Sequence, residues 1–343
     1  MRTAVLYLFL YGVAITTAAQ EEIAASRKMA IGGTLRSKYE FQTETAKSRF
    51  LVRTARVNLT GTLSPTISYK AEIDLCDEGR IKMLDAFTAI TPLPRLSFTI
   101  GQMRVPFTID AHRSPHRQYF ANRSFIAKQV GNIRDVGVKL GYTLRPGFPI
   151  VVETGMYNGS GLTDQKDFWT RTINFSAKAQ MMFPFGVNLV IGAQRIKPAA
   201  TAINMYDAGI TFHHSNWLVE AEYLYKHYDG GAFSPVHAID TFVNCDIALR
   251  GKPFTKISPL IRYDYMGNHS DGETYLDQED KKTGRLAISD YRRSRVTGGI
   301  TLSLGKPFSS DIRINYEKYF YAEDAVIKPS ERDKIVIEFV TAF

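Results

Sequence analysis

Ile67-Ser68-Tyr69-Lys70-Ala71-Glu72-Ile73-Asp74-Leu75 alternates residue by residue between apolar and polar character. In an extended chain successive side chains point to opposite faces. Ile67, Tyr69, Ala71, Ile73 and Leu75 therefore share one face, and Lys70, Glu72 and Asp74 share the other. A helix would scatter the same residues around its circumference, so the period of two reads as a half-buried strand. The pattern recurs along the chain. Val136, Val138, Leu140 and Tyr142 alternate with Asp135, Gly137, Lys139 and Gly141. Trp217, Val219, Ala221, Tyr223 and Tyr225 alternate with Leu218, Glu220, Glu222 and Leu224. Ile335, Ile337, Phe339, Thr341 and Phe343 carry it to the last residue.

The connections follow an order of their own. Short segments dense in Gly and Pro, such as 61–65, 91–94, 144–149 and 183–186, take turns with longer polar ones, such as 105–133, 158–170, 228–236 and 267–289. Transmembrane β-barrels have this rhythm, with tight turns on the periplasmic side and longer loops outside. Sixteen runs result, beginning with 30–41, 49–61 and 65–76 and including 170–182, 187–197, 201–213 and 237–250. The last are 290–304, 310–321 and 332–343. Runs of about 11 residues suit tilted membrane-crossing strands and exceed the 5–6 usual in soluble sheets. Tyr142, Phe183, Trp217, Tyr263, Tyr319, Phe320 and Tyr321 lie near strand ends, where an interfacial girdle needs aromatics. The closing strand ends on Phe343, and a terminal aromatic strand is characteristic of bacterial outer-membrane barrels. The expected fold is thus all-β, a transmembrane antiparallel β-barrel of about sixteen strands, rather than a soluble sandwich.

Bulk composition agrees once read this way. The chain has 343 residues, 43 Lys+Arg against 34 Asp+Glu, and a formal charge of +9. Such an excess points to an anionic partner, and an exported barrel makes that partner a small anionic solute or outer-membrane lipid rather than nucleic acid. A mean hydropathy of −0.17 does not exclude a membrane protein, because alternating strands average out. Two cysteines, Cys76 and Cys245, exclude a disulfide scaffold and a Cys-rich zinc site. At the N-terminus, Arg2, the apolar run Ala4–Ile15 and the small residues Thr17, Ala18 and Ala19 read as a cleaved signal peptide over 1–19. That leaves 20–343 as one outer-membrane barrel, with 104–134 as its candidate constriction loop.

A barrel of this size leaves an aqueous lumen. Its properties then depend on what narrows and charges the lumen. From 104 to 134 the basic residues are Arg104, Arg113, Arg117, Arg123, Lys128 and Arg134, against the single acid Asp110. His112 and His116 add charge that depends on protonation. A segment of this composition folded inward would form the basic ring that selects anions in pores, and the arginine fork suits carboxylates and phosphates. The polar faces of the strands add Arg56, Lys70, Arg95 and Lys139 as candidate wall cations. Lys178, Arg262, Arg295 and Arg313 accompany them, offset by carboxylates including Glu72, Asp74, Asp85, Glu220, Glu222, Asp264, Glu317 and Glu338. The walls are mixed, and their carboxylates are expected to pair with arginine across strands. No phosphate loop, dinucleotide fingerprint or HExxH motif occurs, so no catalytic residue, cofactor or metal is assigned.

Several motifs resemble one family. Phe50-Leu51-Val52-Arg53-Thr54-Ala55-Arg56-Val57-Asn58-Leu59-Thr60-Gly61 and Tyr69–Leu75 followed by Leu84-Asp85-Ala86 are similar to strands of the phosphate-selective porin O and P family. Gly101-Gln102-Met103-Arg104-Val105-Pro106-Phe107 resembles that family's lead into loop three, and Arg134-Asp135-Val136-Gly137-Val138 resembles its exit strand. The resemblance is densest over 49–143. It implies a sixteen-stranded porin, usually a homotrimer, with loop three folded into the pore. The family's best-known members carry an arginine ladder and a lysine-rich inner site. Here the loop holds five arginines and one lysine, and no ladder is recognisable on the walls. The expectation is a water-filled channel for passive diffusion of small anions, phosphate or polyphosphate among them. Its rivals are a non-specific or sugar-permeable porin and a non-conducting barrel such as an adhesin or outer-membrane enzyme.

Overall fold

The structure is a computed structural model that describes residues 28–77, 79–128, 133–162, 165–198, 201–276, 282–305, 309–323 and 325–343. The signal peptide expected over 1–19 lies outside the described residues. Sixteen strands form a closed antiparallel barrel. They are β1 Lys28–Gln42, β2 Ser48–Ser64, β3 Ile67–Asp77, β4 Arg80–Leu93, β5 Leu96–Arg104, β6 Arg134–Leu144, β7 Ile150–Tyr157 and β8 Asn174–Met182. The second half has β9 Val187–Ile196, β10 Ile203–His214, β11 Trp217–Tyr228, β12 Val236–Cys245 continued by Ile247–Ala248, and β13 Phe254–Met266. β14 Arg293–Leu304, β15 Ser309–Tyr321 and β16 Lys334–Ala342 complete it.

Each strand pairs with its sequence neighbours, and β1 pairs with both β2 and β16, so no edge remains. Hydrocarbon offers no water to an unpaired peptide group, and closure is the only way a sheet can satisfy all of them. The seam runs from Thr34 opposite Ala342 to Gln42 opposite Lys334. It is sealed at the periplasmic end by reciprocal bonds between Gly33 and Phe343, N–H to O at 2.9 and 3.2 Å. The longer connections all leave from one rim, taken as the external one, and Val105–Ile133 is the third of these loops.

The alternation has the expected physical meaning. On β11 Leu218, Glu220, Glu222, Leu224 and Lys226 are buried toward the lumen, while Trp217, Val219 and Tyr223 are exposed to lipid. Observed and expected strands agree within a few residues. β8 begins at Asn174 rather than 170, and the run 237–250 is interrupted at Asp246. The Asp246 carboxylate accepts bonds from Asn244 (2.9 Å), Lys256 (2.9 Å) and Ser258 (2.6 Å), a local network that replaces one rung of the ladder.

Alternation makes the lumen face of a membrane barrel polar, and one side of this barrel departs from that pattern strongly. Ile196, Ile203, Met205, Leu224, Val236, Ala238 and Met266 face inward on β9–β13 and form an apolar core with Phe107, Ala111, Phe125, Ile126 and Ala127 of the third loop. A hydrophobic core therefore sits inside the barrel, off centre.

The seam yields a test. A Cβ on Gly33 would collide with the Phe343 ring and lie 2.8 Å from the Arg56 carbonyl oxygen, whereas one on Gly251 meets nothing within 4 Å. Gly33→Val is expected to lower the yield of closed barrel, measured as the fraction resistant to unheated SDS on a gel, and Gly251→Val to leave it unchanged.

Candidate functional site

The third loop leaves the wall between β5 and β6, where Val105 N–H bonds the Ile133 carbonyl at 3.0 Å, and crosses the lumen. Its carbonyls and amides then meet inward side chains from strand after strand. Ser176 on β8 donates to the Pro106 carbonyl (2.7 Å), Lys178 to the Thr108 carbonyl (2.7 Å), and the Ile109 amide donates to Glu222 on β11. Two short 3-10 turns, Asp110–His112 and Pro115–Arg117, turn the chain. Arg313 on β15 donates to the Pro115 and His116 carbonyls (3.4 and 3.2 Å). Arg36 on β1 reaches the Gln118 side chain (2.7 Å) and the Ala121 carbonyl (2.8 Å), and Lys38 shares that carbonyl (2.5 Å). Arg262 on β13 takes the Asn122 carbonyl (3.0 Å) and Arg295 on β14 the Arg123 carbonyl (2.8 Å). A helical turn, Phe125–Lys128, follows.

These wall cations are buried, and a buried charge needs a counter-charge as well as hydrogen bonds. Both are present. Glu338 on β16 pairs with Arg36 (2.6 Å) and Arg313 (2.9 Å). Asp264 pairs with Arg262 (2.9 Å) and Arg295 (2.8 Å), and Glu317 with Arg295 (3.3 Å). Each carboxylate occupies part of a guanidinium fork and leaves the other N–H groups for loop carbonyls, where charge assistance strengthens the bond. The apolar side of the loop packs on the internal core, with Phe125 fully buried beneath Arg293 and Arg295 (4.5 and 4.8 Å to the ring centroid).

The basic residues singled out from sequence fall into different roles. Arg104 donates to the His112 carbonyl (2.5 Å). Arg113 pairs with Glu220 and Asp110 and lies 5.1 Å from the Tyr119 ring centroid. Arg123 donates to the carbonyls of Asp110 and Arg113. These three brace the loop. Arg134 pairs with Asp85 (2.6 Å) and Glu72 (3.4 Å), and Lys128 with Glu331 (3.6 Å). The guanidinium of Arg117 is exposed and has no hydrogen-bond or ion-pair partner among the described residues. Of the wall residues, Arg56 meets Asp74 (3.0 Å) and Glu72 (3.3 Å), Lys70 meets Glu72 and Asp85 (both 2.6 Å), and Lys139 meets Glu153 (2.6 Å). Arg95 is not on the wall. It occupies the tight periplasmic turn between β4 and β5 with φ of 75°, because the chain must reverse there in two residues.

Beneath the loop the wall cations are closed off from water, whereas the side chains of Arg56 and Lys70 retain 14% and 25% exposure. The space the loop leaves therefore runs along the β2–β3 side. A family model described as phosphate-selective porin O and P matches residues 32–212, more than half the chain. The chain belongs to that family. Solved structures similar to it include an anion-selective porin from Comamonas acidovorans (TM-score 0.63, 10% identity, covering 92% of this chain and 100% of the other). Others are the trimer form of the Vibrio cholerae outer-membrane protein OmpT (0.61, 10%, 93% and 100%) and Salmonella typhi OmpF in complex with daunomycin (0.61, 11%, 93% and 98%). At such identities these likenesses concern the fold. No curated protein matches the sequence. Family and fold together make this protein an outer-membrane channel.

The porin also carries a cluster that alternation alone did not single out. Arg36, Lys38, Arg49, Arg53 and Lys334, with Arg123 and Lys128 of the loop, line a cavity of about 130 Å³ on the external side of the crossing loop. Glu40 is the one acid on its lining, and Arg49 pairs with it at 2.6 Å. The signal was present in Thr34, Arg36, Lys38 and Glu40 at every second position of β1. Among the described residues no group of three or more His, Cys, Asp or Glu is arranged to hold a metal.

Both loop histidines are pushed toward the neutral form. Burial pushes His112 well below the ordinary imidazole range, with Lys178, Arg104 and Lys139 adding to it. Burial, then Arg117 and Arg313, lowers His116. The His112 ring nitrogen Nε2 lies 2.6 Å from the Val105 carbonyl and 3.3 Å from the Phe107 amide, inside the neck of the loop. Because the folded pKa is below the unfolded one of about 6.5, the neutral ring's contribution is complete above that pH. It is lost as pH falls through the lowered folded value. Single-channel noise in the porin is therefore expected to stay constant from pH 8 to 6.5 and to rise in stronger acid, and His112→Gln to remove the acid transition. Phe125→Ala removes a fully buried ring, a change that costs about 3–5 kcal/mol in cores. It is expected to increase current noise and mean conductance in planar bilayers, while gel mobility of the folded barrel is retained.

Proposed function

We propose that this porin conducts small anions in preference to cations by passive diffusion, and that the preference resides in the cationic lining of the external cavity together with Arg117. The observation that carries this reading is the cavity's composition, seven basic side chains against one acid, with Arg49 and Arg53 still partly exposed at its mouth and Arg36, Lys38 and Lys334 buried behind them. Carboxylate partners such as Glu338, Asp77 and Glu331 lie behind or beside the cations rather than on that lining. An anion arriving from outside meets guanidinium and ammonium groups held in place by their partners, and a cation meets the same field as a barrier. No bond is made or broken and no cofactor is required. The family's name supports phosphate among the solutes, and the dispersed geometry supports a broad range of small anions. Lumen aromatics such as Tyr157, Tyr228, Phe242 and Tyr319 are buried beneath the loop rather than strung along the passage, which disfavours a sugar slide.

The remaining expectations belong to the same proposal. Residues 1–19 direct export and are removed, and the barrel works as a homotrimer, an arrangement supported by the trimer form of the similar OmpT.

Reversal potentials in planar bilayers under a potassium chloride gradient test the reading. One charge at short range in water is worth about 1 kcal/mol, so Arg117→Glu is expected to lower the anion-to-cation permeability ratio about threefold to tenfold. Arg49→Gln with Arg53→Gln should move it in the same direction. Arg113→Gln, whose guanidinium is engaged by Glu220 and Asp110, should alter noise more than selectivity. Unchanged reversal potentials in the first two variants would remove the cavity and Arg117 from the selectivity mechanism.

A further inference from the structure

The lipid-facing wall over β8–β11 has an order of surfaces that the solute pathway does not use. Toward the external rim, a groove of about 190 Å³ lies between the exposed rings of Phe175 on β8 and Tyr206 on β10. Its floor is narrow because Ala177 and Ala193 face each other across β8 and β9. Deeper in the membrane a second groove of about 430 Å³ continues on the same strands, bounded by Met181, Leu189, Ile191, Ala208, Ile210 and Tyr223. The external end of the upper groove is cationic, with Arg195 on its lining opposite Phe175 and two further cations beyond it. Arg195 is exposed at its head and holds Asp229 at 2.6 Å. Lys197 follows directly after β9, with its backbone amide bonded to Asn174 at the top of β8. Arg171 precedes that same strand end. The side chains of Arg171 and Lys197 are exposed, with no ion-pair partner among the described residues, so Asp229 leaves the patch with a net positive charge.

We propose that this face is a docking site for a phosphorylated glycolipid of the outer leaflet, with an acyl chain lying in the groove and a phosphate held by Lys197, Arg171 and the outer edge of Arg195. The vertical order decides the occupant. An apolar groove, an aromatic pair and then unpaired cations repeat, along the membrane normal, the order of chain, interface and anionic headgroup in such a lipid. The aromatic neighbours fit that level too, with Tyr206 stacked on Tyr225 at 6.4 Å and His237 5.3 Å from Tyr225. A second copy of the chain would have to bring carboxylates to the cations and apolar ridges to both grooves at once. The inference is independent of which solute the channel carries.

Full-length porin purified in uncharged detergent, and incubated with bisphosphorylated lipid A or its dephosphorylated form, tests it by native mass spectrometry. Wild type is expected to retain the phosphorylated lipid and not the dephosphorylated one. Cations beside an anionic headgroup add to its retention, so Arg171→Gln with Lys197→Gln is expected to lower retention at least about tenfold. Ala193→Trp, which fills the groove and keeps the charges, should lower it as well. Conductance and resistance to unheated SDS should match wild type in both variants, which separates lost lipid from lost fold. Equal retention in wild type and both variants would overturn the assignment. So would a loss of subunit association with lipid content unchanged, since that outcome gives the face to another copy of the chain.

Discussion

A peptide group left unpaired in hydrocarbon costs several kcal/mol, and that single penalty dictates the outline of this protein. It requires the sheet to close, so the pairing of β1 with β16 carries the rest. Closure creates an interior, and alternation of side chains then assigns every second residue to lipid or lumen. A third loop bonded to strands on opposite sides becomes possible only because those strands hold one another at fixed register.

Inside the barrel, charge has a structural use before it has a selective one. Arg36, Arg262, Arg295 and Arg313 are all cations in the lumen, yet their forks are filled by carboxylates and by loop carbonyls. Removing one partner of such a pair leaves a buried charge uncompensated, which is costly. The loop's own Arg113 and Arg123 behave similarly, turned inward onto Glu220 and Asp110. What remains to influence a passing ion is set by exposure rather than by residue type, and it lies toward β1–β3.

The fold was legible because its signal is local and repeated. Each run such as Trp217–Tyr225 declares its two faces unaided, and sixteen such declarations with alternating connection lengths describe a barrel. The site was legible only in part. Counting six cations between 104 and 134 marked a basic loop but had no means of separating Arg117 from Arg113, because Glu220, which pairs with Arg113, lies more than a hundred residues away on β11. Arg95 was misplaced for a simpler reason: turn residues adjoin strand residues, and a boundary shift of one position changes wall into turn. The internal core was invisible to a rule that makes lumen faces polar. Its trace was Phe107, Phe125 and Ile126 in an otherwise charged loop, since apolar residues in a long connection need something to pack against.

The off-centre core divides the lumen into two territories under different selection. On the β9–β13 side, apolar packing and shared carboxylates make most positions interdependent, so substitutions there are answerable to the docking of the loop. On the β2–β3 side, Arg56 and Lys70 keep part of their surface in water and answer to the wall carboxylates Glu72, Asp74 and Asp85 rather than to the loop. Divergence in solute preference among descendants of such a chain would accumulate on that side first, with the loop's attachment inherited nearly intact.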